Sequence, residues 1–317
     1  MRRSVCLILA FFIMIIALTG CNENKTKEDK LKIVTTIFPE YDWVKNIVGE
    51  CEADIMMLLD NGVDLHSYQP TTDDIVSISN CDLFIYIGGE SDSWVKDALK
   101  TINKSEENTL NLMACIKSSL LNEEEKEGMQ ESVEDDEDEA YDEHIWLSLR
   151  NAEKCCTAIC NKISGLDEAN KDTYGKNLTE YVTALRSLDT KYSELVSSSV
   201  TNTLLFADRF PFLYMVKDYN LDYYAAFSGC SAESEASFAT VAFLADKIDE
   251  LGLKNIFVLE NNDKKIANTV IKCAKSSDVG VLTLNSLQNV TASDVESGIT
   301  YLDVMAENYA ILCKALS

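Results

Sequence analysis

DEANKDTYGKNLTEYVTALRSLDTKYSELVSSS, residues 167–199, decides how the chain is organised. It contains no proline and one glycine, and Leu178, Tyr181, Leu185, Leu188, Tyr192 and Leu195 recur at steps of three and four. That spacing is one face of a helix. A helix of ~30 residues spans ~45 Å, longer than a single lobe needs. The stretch therefore reads as a spine (166–199) with a lobe on either side, at 31–165 and 200–317.

Both flanks alternate strand and helix. Upstream, LKIVTTI (31–37), ADIMMLL (53–59), CDLFIYIGG (81–89) and NLMACI (111–116) read as strands. Helices are expected from about Glu40 to Val48, over TTDDIVSIS (71–79) and over DSWVKDALKTI (92–102). Downstream, TLLFA (203–207), YYAAF (223–227), NIFVLE (255–260) and VLTL (281–284) are strands between helices near 235–250 and 262–276, and TYLDVMAENYAILCKAL closes the chain. Such alternation predicts an α/β protein with parallel sheets and crossover helices. IFPEYDWVKNI (37–47) and RFPFLYMVKDY (209–219) share F-P-x4-V-K after the first strand of each lobe, which fits two similar lobes.

The N-terminus reads as an address. Arg2 and Arg3, an apolar run from Val5 to Leu18 and the sequence LTGC form a secretory signal over 1–20. The run is shorter than the ~20 residues a membrane span needs. A polar tether, 21–30, follows. The net charge of −25 becomes −27 once two arginines leave with the signal. So acidic a chain lacks the basic face that nucleic acid requires and would steer cations instead. Nine cysteines remain after Cys6 and Cys21, an odd number with no zinc-type CxxC pair, and Cys155, Cys156 and Cys160 read as buried thiols on a helix.

Between Glu123 and Glu143 stand thirteen acids and one lysine, in an acidic loop (122–143). Like charges at that density disfavour a packed structure when free. The loop reads either as a solvated surface or as a weak cation collector.

Only two histidines occur, His66 in DNGVDLHSYQPTTDDI (60–75) and His144 in AYDEHIWLSLRNA (140–152), both beside acids at loop positions. Ligands of open α/β sheets gather beyond the carboxyl ends of strands, and imidazole is the commonest side-chain metal ligand. Here the sequence resembles a family. GVDLHSYQPTTDD (62–74) is similar to the G-x-D-P-H-x-Y-x-P-T-x-x-D motif of the metal-binding receptors of ABC importers, the zinc- and manganese-specific group. DEHIWLS (142–148) resembles their D-P-H-x-W-L-D/S motif, and KIVTTIFP (32–39) and TYLDVMAEN (300–308) resemble further family phrases. LTGC resembles a lipobox.

That resemblance implies two lobes joined by a long rigid helix, a lipid on Cys21 and a monomer on the outer membrane face. A Zn²⁺ ion, or Mn²⁺, would be held between the lobes and passed to a permease. His66 and His144 match the first-lobe ligands. In the second lobe the third position falls at Ala207 or Asp208; alanine cannot ligate, so Asp208 is the candidate. The fourth falls near Asn285, with Gln288 close by and Glu260 as the fallback carboxylate. GCSAESEAS (229–237) reads as a helix start rather than as chemistry. Two imidazoles and one carboxylate suit zinc, whereas more oxygen donors would favour manganese. HExxH, GxSxG and a Walker A motif are absent from the sequence, so an enzyme is not expected. An adhesin that keeps the receptor fold with a degenerate metal site is the alternative.

Overall fold

A computed structural model describes residues 30–130, 140–231, 235–276 and 278–317. The expected leader, Cys21 and residues 131–139 of the acidic run lie outside the described residues. Two four-stranded parallel sheets have the same order: β2-β1-β3-β4, from Leu31–Thr35 (β1), Ala53–Met57 (β2), Leu83–Tyr86 (β3) and Thr109–Asn111 (β4), and β6-β5-β7-β8, from Thr203–Phe210 (β5), Asp222–Ser228 (β6), Asn255–Leu259 (β7) and Gly280–Leu284 (β8). Registers correspond as well. Val34 pairs with Met56 and Phe84, and Phe206 pairs with Ala225 and Phe257. In both lobes the central strands meet through buried apolar residues, Val34 with Phe84 and Phe206 with Phe257, as sheets covered on both faces require.

The expected strand over 111–116 is corrected. β4 stops at Asn111, whose side chain accepts a hydrogen bond from the Ala114 N–H and caps a helical turn, Leu112–Cys115. An apolar run of this length fits a strand or a buried turn equally, and the cap decides.

The spine is a helix from Lys171 to Ser198, led in by a 3-10 turn at Glu168–Asn170. At 28 residues it is ~42 Å long. Tyr174, Tyr181, Leu185, Leu188 and Tyr192 are its buried face. Its first half faces the first lobe: Asn177 donates to the Ile47 carbonyl and Tyr181 to Asp42. Its second half faces the other lobe, where Tyr192 stacks on Tyr219 and donates to the Met305 carbonyl. One continuous core runs from the first lobe through the spine to helices Leu213–Tyr219 and Tyr301–Leu316, while a second core lies under helix Phe238–Leu251. Among the described residues no helix is long and apolar enough to cross a membrane.

Candidate metal centre

His66 lies in a single 3-10 turn, Leu65–Ser67, beyond β2. Asp64 caps that turn by accepting the His66 N–H at 3.0 Å, and its other oxygen takes Arg209 of the second lobe at 2.8 Å. His144 opens the turn Ile145–Leu147, immediately before the helix Leu149–Leu166 that Ser148 caps. The two rings lie 5.5 Å apart, centroid to centroid.

Consecutive carboxylates orient the two imidazoles. Asp142 Oδ1 lies 3.1 Å from His144 Nδ1, and Glu143 Oε1 lies 3.3 Å from His66 Nδ1. Ser91 Oγ is also 2.9 Å from His66 Nδ1, and both its hydroxyl and its backbone N–H hydrogen bond to Glu143. With Nδ1 engaged on each ring, Nε2 of His66 and Nε2 of His144 are buried with no hydrogen-bond partner. A buried polar atom left unpaired costs free energy unless something else fills the place. Histidines held by carboxylates at one nitrogen and open at the other are arranged as metal ligands are.

Among the described residues, one group of possible metal ligands converges: His66, Glu143, His144 and Cys230, with ligand atoms all within 4.8 Å of one another. Cys230 follows β6, just as His66 follows β2, and these are the equivalent edge strands of the two sheets. Gly229 lets this loop lie against the ring, since a Cβ there would sit 3.0 Å from His144 Cε1 and 3.0 Å from the Phe210 carbonyl.

The electrostatics are those of a buried, mainly acidic cluster. Burial raises the Cys230 thiol, and Glu143, Glu123 and Asp142 push it higher still, well above the usual thiol range. Burial also works to raise Glu143, but hydrogen bonding to His66 and the charges of both histidines hold it below the usual carboxylate value. For His144 burial favours the neutral ring, yet Asp142, Glu143 and Glu123 together raise it. A divalent cation reverses the thiol's preference, because a coordinating thiol is deprotonated outright. Two neutral imidazoles, a thiolate and a carboxylate would balance a 2+ ion to zero net charge, which suits a buried place. The donor types are those zinc accepts in tetrahedral geometry.

The structure brings His66 and His144 together but not Asp208. Both Asp208 oxygens serve the fold: the Arg209 N–H and the Leu259 N–H each donate at 2.8 Å, and Asn262 donates at 2.7 Å. The fallbacks are likewise committed. Glu260 accepts from the Ser286 N–H, the Ser286 hydroxyl and Asn289, and the Asn285 side-chain oxygen accepts the Leu287 N–H. Cys230 and Glu143, the other two members of the converging group, are candidates that the sequence reading did not name. The correspondence of Cys230 with His66, each after the edge strand of its sheet, shows only once the two sheets are compared.

Two parallel-sheet lobes on a shared spine, with two histidines and further candidate donors converging between them, are the architecture of a solute-binding protein with a candidate metal centre. The chain belongs to the family described as zinc-uptake complex component A, periplasmic, which matches residues 33–315. High-affinity zinc uptake system protein ZnuA of Bacillus subtilis (strain 168) is 30% identical over 315 residues, covering 98% of this chain and 96% of its own. Zinc-binding lipoprotein AdcA of Streptococcus pneumoniae (strain R6) is 31% identical over 297 residues, 93% of this chain, which spans 58% of that relative's length. The crystal structure of the Zn(II)-bound ZnuA-like domain of pneumococcal AdcA superposes with a TM-score of 0.71 at 28% identity, covering 91% of this chain and 99% of that one.

Proposed function

We propose that this protein captures Zn²⁺ between its lobes and delivers it to an ABC permease, without carrying out chemistry on it. The observation that carries the reading is the pair of orphaned, buried Nε2 atoms, on two rings that converge with a thiol and a carboxylate. His66 and His144 would bind through Nε2 and Cys230 through sulfur, with Glu143 the nearest carboxylate for the fourth position once it gives up a hydrogen bond from Ser91. Asp208 is set aside as a ligand in this reading because it lies outside the converging group, its oxygens taken by backbone and Asn262. Thiolate and imidazole donors favour zinc over manganese, which prefers oxygen. The relatives named above, one a zinc uptake system protein and one a zinc-binding lipoprotein, support the assignment. Acylation of Cys21, a position outside the described residues, would keep a monomer at the outer membrane surface beside its permease, and the net charge of −25 would steer cations towards it.

Calorimetric titration of the metal-stripped protein with zinc and manganese tests this. Tight one-to-one zinc binding, lost in His66→Ala and His144→Ala, is the expected result. Weak multi-site binding indifferent to His66 would mean that surface acids alone collect the ion.

A further inference from the structure

The segment entering the acidic run does not stay with its own lobe. Leu121–Gln130 leaves the first lobe and lies along the second. Its start is a narrow neck: Glu123 N–H donates to the Ala140 carbonyl and Asp142 N–H to the Leu121 carbonyl, each at 2.9 Å, around the antiparallel bridge of Asn122 with Tyr141. One hydroxyl of the second lobe grips both sides of the neck. Tyr214 Oη accepts the Leu121 N–H at 3.2 Å and donates to the Asp142 carbonyl at 2.7 Å.

Further out, the arm is fastened at several kinds of contact. Lys217 pairs with Glu124 at 2.6 Å. Lys126 pairs with Asp222 and lies 4.4 Å from the centre of the Tyr223 ring. Gly128, at φ +89°, lies so close under Phe243 that no Cβ fits there. The Gln130 N–H donates to the Ala226 carbonyl at 2.9 Å, on the edge strand β6, and Gln130 Oε1 accepts the Ser237 N–H at 3.0 Å. The neck runs directly into Glu143 and His144, and Glu123 within it lines a small pocket with Asp142, Ser228 and Gly229, beside Cys230, whose thiol its charge raises.

We propose that Leu121–Gln130 is a strap that positions the metal donors from across the cleft, Glu123 fixing Cys230 while the neck fixes Glu143 and His144. Its grip on the second lobe then governs how fast the ion leaves. This rests on the zinc-receptor reading above. A strap anchored on one lobe and continuous with ligands of the other couples release of the ion to detachment of the strap. A partner that lifts the outer anchors would loosen the donors without forcing the lobes apart. The anchors are therefore positioning residues, and their mark is a faster exit at unchanged stoichiometry.

The test uses the full chain loaded with one equivalent of zinc and chased with excess chelator. Lys126→Ala combined with Gln130→Pro removes an ion pair, a backbone donor and a side-chain acceptor from the strap alone. Zinc should leave about tenfold faster or more, since each hydrogen bond lost is worth ~1 kcal/mol and 1.4 kcal/mol is a factor of ten. Stoichiometry should stay one to one, and Lys126→Arg should release zinc at the unaltered rate. Glu123→Gln should also weaken the thiolate-to-metal charge-transfer band of the cadmium-loaded protein. If the double variant folds poorly, Lys217→Glu should speed release and Lys217→Glu with Glu124→Lys should restore it. A rate within twofold of the unaltered chain in every anchor variant overturns the strap. Failure of the unaltered chain to bind zinc one to one is a different result, and overturns the receptor reading beneath it.

Discussion

Asp142 and His144 are joined twice, the carboxylate Oδ1 accepting the His144 backbone N–H at 2.8 Å and lying 3.1 Å from Nδ1 of the same residue. Main chain and ring are thus fixed by a single oxygen, leaving Nε2 open. Asp142→Ala frees the ring to turn and to change tautomer. Zinc affinity should fall ~10–100-fold, the usual effect of losing an outer-shell partner. Calorimetry decides it, and an unchanged affinity would mean that the neighbouring packing alone holds the ring.

With Cys230 as a donor, the proposed centre differs from one made only of nitrogen and oxygen. Cys230→Ser should weaken zinc by more than the ~10–100-fold typical of outer-shell losses, and cadmium further still, because a hydroxyl is a harder and less acidic donor. Competition against a chromogenic chelator measures both. Equal affinity for the two proteins would remove the sulfur from the donor set.

Asp208→Ala should do the opposite. With the carboxylate gone, the Leu259 N–H and the Asn262 amide lose their acceptor. Leaving buried donors unpaired costs ~1–3 kcal/mol, to be read from urea unfolding. Zinc affinity should remain within a few fold, and a large loss would return Asp208 to the ligand set.

Asp42 gives the fold a pH dependence away from the metal. Burial raises its carboxyl from 3.8 to about 6, against hydrogen bonds from the Tyr301 N–H and the Tyr181 hydroxyl. The folded state therefore holds this proton more tightly than the unfolded chain. The stabilisation is full below about 3.8 and is lost as pH rises through about 6, at most roughly 3 kcal/mol from this group. Asp42→Asn should flatten unfolding free energy between these limits. An identical pH profile in the variant would refute the assignment.

The spine was legible because its apolar residues, from Leu178 to Leu195, repeat with one period, and periodicity is local information. The likeness of the lobes showed only in the F-P-x4-V-K echo. Strand order was not legible, since nothing local in β1 says that β2 and β3 flank it. Asn111 misled for the same reason: a cap and a strand end look alike until Ala114 folds back on it. His66 and His144 stood out by rarity and by the motifs around them. Cys230 did not, being one of many cysteines in a phrase that also reads as a helix start. Its partner Glu143 stands 87 positions away and meets it only after both lobes have folded.

The helix Lys171–Ser198 packs against both lobes, and a single apolar core continues through it. A receptor built in this way does its ordering during folding rather than during capture. Little apolar surface is left to cover when the ion arrives, so the heat capacity of binding should scarcely change. The enthalpy of capture should then vary little with temperature and report coordination and proton release rather than the motion of one lobe against the other.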